Sequence, residues 1–227
     1  LYQKGVASFL KHKITSQPYL IGISGDSGAG KTTLSDLLNT IFRPRNTLII
    51  HGDDMHKWER GHQKWNEYTH LNPKANNLHK EIDYLTTLRK GDTVSRRHYD
   101  HSNGLFTNER DIHSKKIIIF EGLHAFFIKK IRTLYDLKIF IEPEKQLAQH
   151  WKVMRDMAKR KHTKEAILDQ IKKREKDVKS FISSQKTHAD ILIEIVCKSP
   201  IKNSGDSKEV VETFIKVHFP NTSFLDN

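Results

Sequence analysis

Cysteine occurs once in these 227 residues, at Cys197, so no disulfide can form within them. A core held by burial in a reducing compartment is the reading that follows, because disulfide-stapled secreted domains carry paired cysteines. No apolar run reaches the roughly 18 residues needed to cross a bilayer, and no signal-peptide pattern opens at Leu1. A cytoplasmic setting is therefore expected. Internal repeats and low-complexity tracts are also lacking. Wholesale disorder is excluded by an apolar fraction of 36% with Leu, Ile, Val and Phe throughout. The length suits one large α/β domain over 1–227.

Positive charge is present in excess, with 39 Lys and Arg against 27 Asp and Glu, a net +12. That balance suits either a nucleic acid or a small polyanion such as a nucleotide or sugar phosphate. The lysines are scattered, as at Lys129-Lys130 and Lys172-Lys173, and do not form an aromatic-interleaved patch. A solvated basic surface accounts for most of them.

Apolar periodicity orders the chain. A weak amphipathic helix is expected over 1–13, and Tyr19 to Ser24 reads as a buried strand. A helix follows from Leu34 to Phe42, then a second buried strand from Thr47 to Ile50. Asp53 to Pro73 is polar, rich in His and Trp and without period, which marks a functional loop. Leu78, Ile82, Leu85 and Leu88 share a helix face stopped by Gly91. Strands are expected at Lys116–Phe120 and Leu137–Ile141, and charged helices at Glu144–Arg160 and Thr163–Lys179. A final strand is expected at Ile191–Val196, and the segment after Lys198 has no assignment. Strands alternating with helices imply a mostly parallel sheet covered on both faces.

Gly25-Asp26-Ser27-Gly28-Ala29-Gly30-Lys31-Thr32 satisfies G-x-x-x-x-G-K-[ST], with a buried strand entering and a helix leaving as the mechanism requires. The glycines let successive N–H groups point at phosphate oxygens, and the helix N-terminus adds partial positive charge. Gly25 through Thr33, with Thr33 extending the motif by one, is the candidate ATP site. Lys31 is expected to reach the β- and γ-phosphates and Thr32 to bind Mg²⁺. Asp53 and Asp54 follow the second strand, where parallel sheets place ligands. Such a carboxylate can take an acceptor proton or simply cap a turn. Glu121 ends an apolar strand as a magnesium-holding carboxylate does, or it is a strand-end surface residue.

Asp53-Asp54-Met55-His56 with Arg60, Tyr99-Asp100-His101, Glu121-Gly122-Leu123-His124 and Trp151 through Arg160 together resemble the phosphoribulokinase/uridine kinase family of P-loop kinases. The phosphoribulokinase branch is the nearer one. Leu71 through Asn77 and Gln185 through Asp190 are similar to further stretches of that branch. The resemblance covers about residues 20–196 and leaves 198–227 unassigned. It implies a three-layer P-loop NTPase fold with a helical lid, and phosphorylation of a sugar-phosphate hydroxyl by MgATP. By position, Asp53 is the implied general base, Glu121 the magnesium-associated acid and Asp156 a second catalytic carboxylate. His56, Arg60, Tyr99, His101, Lys152, Arg155 and Arg160 are implied to contact sugar phosphate or nucleotide. Arg174 lies where the family carries a lid arginine, and arginine's planar fork suits phosphate.

Ala29 stands in the loop where chloroplast relatives carry a regulatory cysteine, so a dithiol switch of that type is not expected. Uridine, cytidine and glycerate remain alternative acceptors, and a nucleic-acid-binding NTPase or a catalytically retired partner protein are readings of another class. Fourteen histidines invite a metal site, but without a recognised ligand spacing they read as packing, solvent or substrate residues. A homodimer is possible on the family's habit, and no interface is legible.

Overall fold

The computed structural model describes residues 17–201 and 211–222. The helix expected over 1–13 lies outside them. Six strands make the central sheet: β1 (Tyr19–Gly25), β2 (Thr47–His51), β7 (Ile117–Gly122), β8 (Leu137–Pro143), β9 (Ile191–Cys197) and β10 (Thr213–His218), in the order β10-β9-β8-β1-β7-β2. All neighbours are parallel except β10, which runs antiparallel to β9.

Every residue of β1 and β7 is buried, as befits near-continuous apolar strands at the centre of a parallel sheet. Alternation then sends successive side chains to opposite faces. Leu20, Ile118, Phe120 and Phe140 pack against helix α2 (Leu78–Arg89) with Ile82, Leu85 and Leu88. Ile21, Ile23, Ile119 and Ile141 pack on the other face against Leu34, Leu38 and Phe42 of helix α1 (Lys31–Phe42).

Register sets the chemistry. Ile23 and His51 both sit opposite Glu121, so the ends of β1, β2 and β7 converge at one edge. A short helix α3 (Lys129–Arg132) precedes β8. Helix α4 (Lys145–Arg160) and helix α5 (Lys164–Asp177) follow it, and α5 is started by Thr163, whose side chain accepts from the Ala166 N–H. The chain leaves α5 through one π turn and a 3₁₀ turn.

Two expectations change. β2 is not the fully buried strand expected: it is the sheet's edge, with Leu48 and Ile49 half-buried. An apolar run reveals burial appetite but not how many neighbours a strand acquires. Ile191–Val196 is not final either, because β10 follows. Most of β10 is exposed, so it carries no burial pattern to read. Finally, the stretch after Gly91 forms two small hairpins, β3 (Thr93–Arg96) with β6 (Arg110–His113) and β4 (Tyr99–Asp100) with β5 (Leu105–Phe106). Strands of two to four residues are too short to show a period.

One amide ties the sheet to the lid's base. Buried Gln185 accepts from Ser24 Oγ (3.2 Å) and the Phe126 N–H (2.8 Å) and donates to the carbonyls of Leu123 (2.7 Å) and Phe181 (2.7 Å). Gln185→Leu keeps the bulk but strands these groups, each at about 1–3 kcal/mol. Urea unfolding should show a loss of about 3 kcal/mol or more with an unchanged slope; a loss under about 1 kcal/mol would show that the network relaxes around the gap.

Candidate active site

The phosphate loop turns sharply out of β1. A side chain at Gly25 would strike the Ile141 carbonyl oxygen at 2.5 Å, and Gly28 holds φ +85° beneath α4, where a Cβ would meet Lys152 Cβ at 3.5 Å. Ala29 is buried in the core, so it contributes to the loop through its backbone alone. The α1 N-terminus at Gly30 has no side-chain cap, which leaves its first N–H groups to an anion. Lys31 Nζ reaches back along the loop and donates to the carbonyls of Gly25 (3.0 Å) and Asp26 (2.8 Å). Asp26 Oδ1 in turn accepts from the Ser27 N–H at 2.6 Å.

Glu121 closes the loop's far side. Its Oε1 accepts from the Thr32 hydroxyl at 3.0 Å and lies 2.7 Å from His51 Nδ1, an arrangement that raises the His51 pKa through that hydrogen bond. Glu121 Oε2 is buried with no hydrogen-bond partner. An unsatisfied carboxylate oxygen beside a hydroxyl is a hard oxygen pair of the kind Mg²⁺ takes when it arrives with a nucleotide. Thr32 and Glu121 thus fit the ion expected of them.

Cations arrive from α4 and α5. Arg155 Nη2 reaches Ser27 Oγ at 3.3 Å, and its Nε donates to Asp156 Oδ1 at 2.8 Å. Asp156 is wholly buried and so meets the site through Arg155. Lys152 is also buried, and desolvation, with Arg174 and Arg155 adding, pushes its pKa down to about 8. Burial lowers the Lys31 pKa as well. Arg174 on α5 is close enough to depress both Lys152 and His70. Arg160 ends α4, and its side chain lies outside the described residues. Thr33 is exposed on the first turn of α1.

The acceptor side is built on a 3₁₀ turn, Gly52–Met55. Asp53 Oδ2 lies 3.0 Å from His101 Nε2. Despite desolvation, that hydrogen bond and the charges of His56 and His101 hold the Asp53 carboxyl well below the usual range. Tyr99 packs edge-on against His56 (5.1 Å) and His101 (5.0 Å). Arg60 donates to the His101 carbonyl at 2.7 Å, so it braces the β4–β5 hairpin from the exposed side. Trp65 meets His56 at 5.6 Å and Trp58 at 5.3 Å, which makes the 58–68 loop an aromatic flap beside Asp53.

Sequence reasoning overlooked four residues. His51 orients Glu121, and His70 stays neutral beside Asp53 because burial pushes its pKa well down. His124, brought down to about 4 by burial, donates to the Leu71 carbonyl at 2.8 Å. Arg96 is buried behind the site. The histidines show no spacing signal, and Arg96 sits in a pair whose partner, Arg97, lies instead 3.5 Å over the Phe106 ring.

A family model described as "Phosphoribulokinase / Uridine kinase family" matches residues 20–202. The chain is 34% identical to a phosphoribulokinase from a Synechocystis species over 177 residues, which is 78% of this chain and 53% of that one. It is 29% identical to a uridine kinase from Clostridium novyi over 78% of this chain and 87% of that protein. The structure of the phosphoribulokinase from Rhodobacter spheroides superposes with a TM-score of 0.75 at 24% identity, covering 91% of this chain and 81% of that one. The chain therefore spans about half the length of the Synechocystis enzyme it matches. No described helix is long and apolar enough to cross a membrane.

Lys152 is a cation below about pH 8 and neutral above it. Affinity for ADP, titrated calorimetrically, should therefore fall as pH rises through that value. About tenfold is expected, the worth of one charge-assisted hydrogen bond. Lys152→Arg should hold affinity flat, since guanidinium stays protonated. The same decline in the variant would assign it to another group.

Proposed function

The chain belongs to the phosphoribulokinase/uridine kinase family, and from that premise we propose that it transfers a phosphoryl group from ATP to a hydroxyl of a sugar phosphate such as ribulose 5-phosphate. The observation that carries the reading is the company of Asp53. Its carboxylate meets His101 and feels the charge of His56, with Arg60 bracing the same hairpin. Cationic and hydrogen-bond-donating groups around a proton acceptor suit an acceptor that brings its own negative charge. The 34% identity to a phosphoribulokinase supports the same choice.

Asp53 orients the acceptor hydroxyl and receives its proton as the oxygen bonds to the γ-phosphorus and the bond to the β,γ-bridging oxygen breaks. Because the Asp53 pKa is low, it is a weak base, and its principal contribution is orientation. A loose phosphoryl-transfer transition state tolerates that, since the hydroxyl proton is needed little until late. Lys31, Lys152, Arg155 and Arg174 offset the charge on the transferring group, and Asp156 fixes the aim of Arg155. Thr32 and Glu121 would hold Mg²⁺, which neutralises β- and γ-phosphate oxygens when bound. The setting we assign is cytoplasmic, in keeping with the single cysteine.

A uridine or cytidine acceptor is the second reading, favoured by the aromatic flap. Against it, Trp58 already stacks on His62 (5.7 Å) and Tyr68 (6.2 Å), so its faces are engaged within the flap. ADP release with ribulose 5-phosphate, uridine, cytidine and glycerate separates these readings. Turnover is expected on ribulose 5-phosphate, with Asp53→Asn lowering kcat by about 10²–10⁴-fold and leaving ATP affinity unchanged. Turnover on uridine alone would replace the sugar-phosphate assignment with a nucleoside one.

A further inference from the structure

Arg96 is 2% exposed, although burying a cation costs several kcal/mol unless it is paired and hydrogen-bonded. Its two terminal nitrogens carry its hydrogen bonds, while Nε is buried without a hydrogen-bond partner. Nη1 donates to Glu81 Oε1 at 3.1 Å, and Nη2 donates to the His51 carbonyl at 3.1 Å and to Asp54 Oδ2 at 3.3 Å. The centroid of the Tyr84 ring lies 5.3 Å from its Cζ.

Asp54 carries the link onward. Its other oxygen, Oδ1, accepts from the Tyr99 backbone N–H at 2.8 Å and lies 2.8 Å from His98 Nδ1. Tyr99 opens β4, and two residues later His101 meets Asp53. In a 3₁₀ turn successive side chains point about 120° apart. Asp53 therefore faces the acceptor while Asp54, its neighbour, faces inward to Arg96. The same guanidinium pins the carbonyl of His51, whose ring holds Glu121. Two of these bonds go to backbone groups, the His51 carbonyl and the Tyr99 N–H, which a well-packed apolar replacement could not satisfy.

We propose that the buried Arg96–Asp54 pair is the positioning element of the acceptor side: it holds the β4–β5 hairpin where His101 engages Asp53. The kinetic consequence rests on the sugar-phosphate kinase reading; the geometric one does not. Asp54→Asn is isosteric but turns one acceptor into a donor, so either Arg96 or the Tyr99 N–H loses its partner. Arg96→Lys keeps the charge, but one nitrogen cannot span the groups now shared by two.

Two measurements on the whole chain test this. The first is the ¹H–¹⁵N signal of the His101 imidazole, assigned through its loss in His101→Gln. Its hydrogen-bonded position is expected in the unaltered chain and is expected to be lost in Asp53→Asn, Asp54→Asn and Arg96→Lys. The second is steady-state kinetics, with an expected rise in the ribulose 5-phosphate KM and fall in kcat, each by about tenfold, while the ATP KM stays within about twofold. A His101 signal unmoved in folded Asp54→Asn, or losses that track only the folded fraction, would overturn the inference. If Arg96→Lys fails to fold, the isosteric Asp54→Asn carries both readouts. Failure of the unaltered chain on ribulose 5-phosphate removes the substrate reading alone, because the imidazole signal needs no acceptor.

Discussion

A site built for polyphosphate must hold several cations within reach of one another, and their mutual repulsion is the constraint to which the rest of this structure answers. Two unit charges about 6 Å apart repel by roughly 3 kcal/mol at an effective dielectric of about 20. Each cation here is restrained by a different device. Lys31 is tethered by two carbonyls of its own loop, and Arg155 by the buried carboxylate of Asp156. Burial and neighbouring cations bring the Lys152 pKa down to about 8, and burial pushes that of His70 well down. The fold thus stores positive charge in forms that a bound anion can draw out.

Carboxylates supply the opposite pole and are sorted by direction. Glu121 lies on a central strand between β1 and β2, so one oxygen can join the Thr32 hydroxyl to the His51 ring. Asp53 and Asp54 are adjacent in sequence and differently directed: one meets His101 and the other is buried against Arg96. Asp156 is wholly buried and holds the Arg155 guanidinium by its Nε. Donor and acceptor sides therefore meet at one sheet edge without sharing side chains for the same task.

The parts over that edge are joined to one another by a few side-chain contacts. The Thr69 hydroxyl donates to Asp177 at the end of α5 (2.7 Å), and Leu71, Leu123 and Ile182 form a small apolar cluster beneath. The flap meets the β4–β5 hairpin through Glu59, which accepts from the Phe106 N–H at 2.9 Å. The last of these bonds is exposed and worth little on its own, whereas the first two contacts are at least partly buried.

The phosphate loop, the parallel sheet and the helices at 31–42, 78–89 and 145–177 were legible because each rests on local information. Glycine spacing, apolar period and stop residues act within a few positions. Asp53 and Glu121 could be named from their strand-end positions, and Lys152 and Arg155 from the family resemblance, but their division of work could not. Which of Asp53 and Asp54 faces the acceptor depends on the pitch of one 3₁₀ turn. That β2 is an edge strand depends on the order in which distant segments pair. The worth of Arg96 depends on Glu81, Asp54 and the His51 carbonyl, 15 to 45 residues away along the chain. The sequence by itself determined which chemistry is available. The tertiary structure alone decided which side chain performs it, because long-range register and burial set both orientation and charge.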